Sequence, residues 1–121
     1  MTKKNYTAVI KHETEISVCF YIEHDKPFDI GEELNKINEA AYMNGYNWEA
    51  FFNYYLLKYA PEIAVGMGTD PEAGMYVALY DLTPENEDRA KKFESIIHSL
   101  VENPEELYRI VREESEEIRW D

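Results

Sequence analysis

The stretch EISVCFYI, residues 15–22, alternates apolar and polar side chains along its whole length. Successive side chains of a β-strand point to opposite faces, so the apolar ones share one face: Ile16, Val18, Phe20 and Ile22. The preceding TAVIKH, residues 7–12, is also rich in branched residues, and a polar turn around Glu13 and Thr14 separates the two stretches. Together they predict an N-terminal β-hairpin with one face in the core.

The next segment predicts a helix that follows the loop HDKPFD. Asp29 can cap this helix with Glu32 three residues later, and apolar residues follow at helical spacing. Asn44 and Gly45 are expected to end it, because both tolerate the left-handed conformation common at helix C-termini.

A second helix is predicted directly after this corner. Asn47 is the expected N-cap, and Tyr46 before it can pack on Phe51 as a hydrophobic staple. Aromatic residues continue on one stripe as far as Pro61, which predicts a helix of about three turns. Trp48 is therefore interpreted as a core residue of this helix rather than as part of a ligand site.

A second hairpin is predicted after Pro61. EIAVGM and GMYVALYD are the strand candidates, and GTDPEAG between them has the residues of a turn. Met75, Val77 and Leu79 share one face of the second candidate; Tyr76, Ala78 and Tyr80 share the other. Either face could be the one that helices cover.

Two helices complete the predicted order ββααββαα. Thr83 with Pro84 starts one, and Asn103 with Pro104 and Glu106 starts the other, each followed by an apolar stripe. Consecutive hairpins favour an antiparallel sheet of about four strands packed with about four helices, which is an α+β fold. The length of 121 residues predicts a single domain over residues 1–121.

No residue pattern indicates catalysis, a metal or a cofactor. His12 and His24 lie beside carboxylates, but adjacent residues on a strand or turn point in different directions and the spacing matches no metal-binding motif. Cys19 has no second cysteine and no neighbouring base, and His98 flanks an apolar helical stripe. A small enzyme that uses His12, His24 or Cys19 stays open only as the less favoured alternative.

Charge gives the clearest indication of the partner. Twelve Lys and Arg oppose 25 Asp and Glu, a net charge of −13, which disfavours nucleic acid and anionic membranes and favours a basic protein. The sequence has no apolar run long enough for a membrane span, no signal-peptide pattern and one cysteine. These features predict a cytoplasmic protein.

Two acidic stretches are candidates for the partner-binding surface. The first lies in the segment between Lys58 and Arg89, which has no basic residue; it combines three carboxylates with two tyrosine anchors: Asp70, Glu72, Asp81, Tyr76 and Tyr80. The second lies in the C-terminal helix and consists of Glu113, Glu116 and Glu117. An acidic surface that only aids solubility is the simpler interpretation of the same residues.

NGYNWEAF, residues 44–51, followed by DPEAGMYVALY, residues 70–80, resembles the immunity protein 51 family of bacterial immunity proteins encoded beside polymorphic toxins. The resemblance extends over about residues 15–108; Asn47 stands where family members often have Asp. It implies a small cytoplasmic α+β protein that binds and neutralises a cognate toxin.

The sequence leaves the partner of such a protein open. A basic nuclease is the favoured toxin, because an enzyme that binds the phosphates of nucleic acid exposes a positively charged cleft. An acidic regulatory or scaffold module that binds another basic protein is the alternative. The oligomeric state is open as well.

Overall fold

The computed structural model describes residues 6–120 and has the predicted α+β architecture. Its elements, in chain order, are β1 (Thr7–Lys11), β2 (Glu15–Phe20), α1 (Asp25–Ile37), α2 (Gly45–Tyr59), β3 (Gly68–Thr69), β4 (Tyr76–Asp81), α3 (Pro84–Glu102) and α4 (Glu105–Glu113). Short 3₁₀ helices at Pro61–Ala64 and Ser115–Glu117 follow α2 and α4. The predicted order ββααββαα is confirmed.

The four strands form one antiparallel sheet in the order β1-β2-β4-β3. Both predicted hairpins are present, but the prediction of a strand over EIAVGM is wrong along its whole length. The strand β3 has only two residues, Gly68 and Thr69, and both lie in the stretch GTDPEAG, the predicted turn. Pro61 has a fixed φ and no N–H to donate to a strand partner, and it starts a 3₁₀ turn that buries Ile63 instead.

One face of the sheet packs against α2 and α3, and an aromatic cluster fills the space between them. The ring centroid of Phe52 in α2 lies 5.0 Å from that of Tyr76 in β4 and 5.1 Å from that of Phe93 in α3. The core face of β4 is therefore the one with Tyr76, Ala78 and Tyr80.

The opposite face of the sheet carries Ile10 of β1. Thr7 donates a hydrogen bond to Glu94 of α3, and Lys11 forms a salt bridge with Glu87 of α3. These odd-numbered residues face the helices, so Ile10 points away from them.

The boundaries of the first helix differ from the predicted ones. α1 begins at Asp25 with His24 as its N-cap residue, and Asp29 lies inside the helix. Pro27 falls in the first turn, where the missing N–H costs no helical hydrogen bond. The helix ends at Ile37, because the side chain of Asn38 accepts a hydrogen bond from the N–H of Ala40 and so competes with the helical pattern.

The corner before α2 also differs from the prediction. Asn44 is the N-cap: its side-chain oxygen accepts a hydrogen bond from the N–H of Asn47 at 2.9 Å. The interpretation of Gly45 as a helix end and of Asn47 as a cap is wrong, and Tyr46 is a first-turn residue with 41% of its surface exposed rather than a staple. Trp48, interpreted as a core residue, is buried.

The C-terminal helices follow the predicted stripes. Thr83 caps α3 by accepting from the N–H of Asn86 at 3.1 Å, as predicted. The predicted apolar stripe of α3 is buried: Ala90, Phe93, Ile97 and Leu100. Asn103 terminates α3 rather than capping α4, and α4 ends at Glu113.

Candidate functional site

Helix α2 exposes large apolar side chains on its outer side. Its 15 residues, GYNWEAFFNYYLLKY, include one acidic and one basic residue, in a chain with a net charge of −13. The inner side is buried, whereas Leu57 on the outer side is 70% exposed and Tyr46 is 41% exposed. Exposed apolar side chains on a helix with few charged residues make this outer side a candidate interaction surface.

An open groove of about 580 Å³ runs along this outer side. The helix lines it with residues that include Tyr46, Ala50, Asn53 and Leu57, and the C-terminal segment lines it with Glu117 and Arg119. The groove therefore has a mainly apolar floor on one helix, with Glu49 and Lys58 as its charged residues, and a charged wall on a separate part of the chain.

The C-terminal wall is held in place by the carboxylate of Glu114. This carboxylate accepts hydrogen bonds from Lys58 at 2.8 Å, Tyr59 at 2.8 Å, Arg109 at 2.9 Å and also Tyr54. The bond from Lys58, followed by those from the other three groups, lowers the pKa of Glu114 to about 2. The network joins the end of α4 to the last turns of α2.

Glu114 also changes the electrostatics of the groove. Its salt bridge with Lys58 compensates the only basic residue of α2. Glu49, the only acidic residue of α2, accepts a hydrogen bond from the hydroxyl of Thr69 in β3. Because Glu49 and Lys58 carry opposite charges, the helix itself contributes no net charge to the floor of the groove. Sequence reasoning missed Glu114, because the run EESEE does not indicate which carboxylate faces inward.

The turn between β3 and β4 sits directly on the start of α2. The N–H of Gly45 donates to the carbonyl of Ala73 at 3.0 Å. A Cβ atom at Gly45 would lie only 1.7 Å from the carbonyl oxygen of Glu72 and 2.4 Å from that of Met75, so this position has no room for a side chain. The side chains of Asp70 and Glu72, in the same connection, are exposed.

Parts of both acidic stretches lie next to α2, but not all the predicted residues do. The turn that holds Glu72 packs against the start of α2, and Glu117 lines the groove. Asp70 follows Thr69, whose hydroxyl donates a hydrogen bond to Glu49 of α2. Glu116 is exposed beside Glu117 in the 3₁₀ helix Ser115–Glu117, not in α4, and Glu113 at the end of α4 pairs with Arg109 at 3.6 Å.

Asp81 lies apart from this group. It ends β4 and pairs directly opposite Glu15 of β2, at the other end of the sheet from the turn that holds Glu72. At about 3.3 Å per residue, the length of β4 places it more than about 15 Å away. Asp81 and Glu72 do not form one patch.

The interpretation of Tyr76 and Tyr80 as exposed anchors is contradicted. They are 0% and 2% exposed, because their side of β4 is the side covered by α2 and α3. The hydroxyl of Tyr80 donates to the carbonyl of Ile63 at 2.7 Å, and burial raises the pKa of both phenols. Tyr46, which lines the groove and is 41% exposed, is an aromatic residue that a partner could contact.

The residues considered for catalysis do not converge. The ring of His12 contacts the hydroxyl of Ser17 at 2.9 Å, His24 begins α1, and the buried Cys19 has a thiol pKa raised by desolvation. The ring of His98 contacts Thr7 at 2.6 Å, in agreement with a position at the edge of the α3 stripe. Within residues 6–120, no group of three or more His, Cys, Asp or Glu side chains is arranged to hold a metal ion.

Fold and surface together define a class: a small acidic α+β protein with an exposed apolar groove. Among the described helices, none has the length and apolarity needed to cross a bilayer. The chain belongs to the immunity protein 51 family, whose model matches residues 7–116. No curated protein and no solved structure matches the chain. The two sequence blocks that resemble the family contact each other in the fold, through Gly45 and the turn at Ala73.

Proposed function

We propose that this protein binds and neutralises a cognate toxin in the cytoplasm of the producing cell. Membership of a family of immunity proteins supports the general role. The proposed mode of binding rests on the uncompensated negative charge of the segment between Lys58 and Arg89. Five of its carboxylates form no salt bridge with any residue in the described range: Glu62, Asp70, Glu72, Asp81 and Glu85.

Carboxylates without partners attract a basic protein over a distance of about 10 Å at moderate ionic strength. They speed the encounter and fix the orientation of the partner, while buried apolar contacts supply most of the affinity. A basic nuclease is the toxin that this charge supports best, because its phosphate-binding cleft would be open to an acidic inhibitor.

The test is co-expression with the product of the neighbouring upstream gene. Cells that express this product alone are expected to stop growing, and cells that also express the present chain are expected to grow and to yield a complex of the two proteins. An unrelated toxin provides the control and should not be neutralised. Growth arrest without rescue, together with the absence of a complex, would contradict the proposal; a complex with a harmless basic protein would favour a regulatory or scaffold role.

A further inference from the structure

We propose that the groove along α2 is the anchoring site for the toxin, and that it receives an apolar side chain flanked by basic residues of the toxin. This inference rests on the proposed function and adds the surface and the chemistry of the segment it binds. It also replaces the anchors Tyr76 and Tyr80, which are buried.

The groove exposes apolar side chains along one face of α2. Leu57 is 70% exposed and stands between Tyr54 and Lys58, both of which are engaged by Glu114. A partner that covers this large aliphatic side chain removes apolar surface from water, which favours binding. Interface cores have this composition: apolar and aromatic residues in the centre and charged residues at the edge.

The charged residues in and beside the groove are mainly acidic. Glu49 lines the floor, Glu117 lines the far wall, and the turn that holds the exposed Glu72 packs against the start of α2. Arg119 is the one cation of the edge that forms no salt bridge with a described residue, so the carboxylates outnumber it. Charge complementarity therefore selects a segment with basic residues on both sides of its apolar centre.

The groove is long enough for a short segment of the toxin, and its C-terminal wall is held by hydrogen bonds. Tyr46 and Leu57 are eleven residues apart on α2, which corresponds to about 16 Å at 1.5 Å per residue. This length accommodates about three turns of a helix or about five residues of a strand. The Glu114 network fixes the C-terminal wall before binding, which lowers the entropic cost of association.

The experiment measures the affinity of purified variants for the purified product of the neighbouring upstream gene. Leu57→Glu is expected to weaken binding by about 30-fold or more, as for a central interface residue. Ile10→Glu introduces the same charge at a residue that is 41% exposed on the opposite face of the sheet, and it should leave the affinity unchanged. Thermal unfolding of both variants controls for loss of fold.

A second pair of variants tests the chemistry of the bound segment at one position. Asn53 is an exposed residue of the groove on α2, where both Arg and Glu are compatible with a helix. If the segment is basic, Asn53→Arg should weaken binding at least about tenfold more than Asn53→Glu. The reverse order would contradict the basic segment.

Other outcomes separate this inference from the proposed function. If the wild-type chain neutralises the toxin and Leu57→Glu binds it equally well, the groove is not the anchoring site and the proposed function stands. If the wild-type chain neither binds nor neutralises the upstream product, both proposals fail. Sedimentation that shows a wild-type dimer, which Leu57→Glu converts to a monomer without loss of toxin affinity, would assign the groove to a second copy of this chain.

Discussion

Gly45→Ala adds a single methyl group at the contact between the start of α2 and the β3–β4 turn. The new Cβ would lie 1.7 Å from the carbonyl oxygen of Glu72 and 2.4 Å from that of Met75, both of them backbone atoms. A side chain could rotate away from such an overlap, but a backbone carbonyl can move only if the whole turn moves. We therefore expect the turn and the helix to separate.

The magnitude follows from two losses and one gain. Overpacking costs about 1–3 kcal/mol, and loss of the hydrogen bond from Gly45 to Ala73 costs about 1 kcal/mol. Alanine gains up to about 1 kcal/mol in helix propensity, and less at the first helical position. The net loss is about 1–4 kcal/mol, which corresponds to a fall in Tm of about 5–15 °C for a domain of this size.

Thermal unfolding followed by circular dichroism measures this loss. Gly68→Ala is the matched control: its Cβ would meet no atom within 4 Å, so its Tm should change by no more than about 2 °C. If Gly45→Ala unfolds within about 2 °C of Gly68→Ala, the contact is not tight and the close approach described above is wrong.

Three further predictions concern charge, pH and capping. Glu114→Gln should lower the free energy of unfolding in urea by about 2 kcal/mol at pH 7. The fold lowers the pKa of Glu114 from 4.5 to about 2, so its contribution to stability is fully present above pH 4.5 and is lost as the pH falls towards 2. The stabilities of wild type and variant should therefore converge near pH 2, and a difference that stays constant with pH would refute this. Thr83→Ala should cost about 1 kcal/mol by the same assay, and Thr83→Ser should recover most of it; equal stability of all three proteins would exclude a capping role. Asp70→Lys combined with Glu72→Lys should slow association with the toxin about tenfold at low salt, measured by stopped flow, with a smaller effect at high salt. Asp81→Lys tests the other end of the sheet, and if it alone slows association, the toxin approaches from that end.

The periodicity of the sequence predicted the fold class well. The alternation in EISVCFYI and the apolar stripe in α3 each mark the face that is buried, because apolar residues recur at the spacing of the buried face. The same reasoning could not choose between the faces of GMYVALYD, since both are apolar enough to be covered. That choice depends on where α2 and α3 lie, and Tyr76 and Tyr80 were consequently misplaced.

Helix boundaries and the site depended on contacts between distant residues. Gly45 was interpreted as a helix end from its neighbour Asn44, whereas the structure requires glycine there because the Glu72 carbonyl approaches it. Glu114 could not be distinguished from the other carboxylates of EESEE without the positions of Tyr54 and Lys58. Local sequence patterns contain no information on these pairings.

Because of the close contact at Gly45, the main chain and the side chain of Glu72 have different roles. Glu72 supports the fold through its main chain, whose carbonyl rests against α2, while its carboxylate projects into solvent. The identity of this side chain can therefore change without disturbing the scaffold. Under the proposed function, substitutions of this side chain would change the surface offered to the toxin and leave folding unaffected.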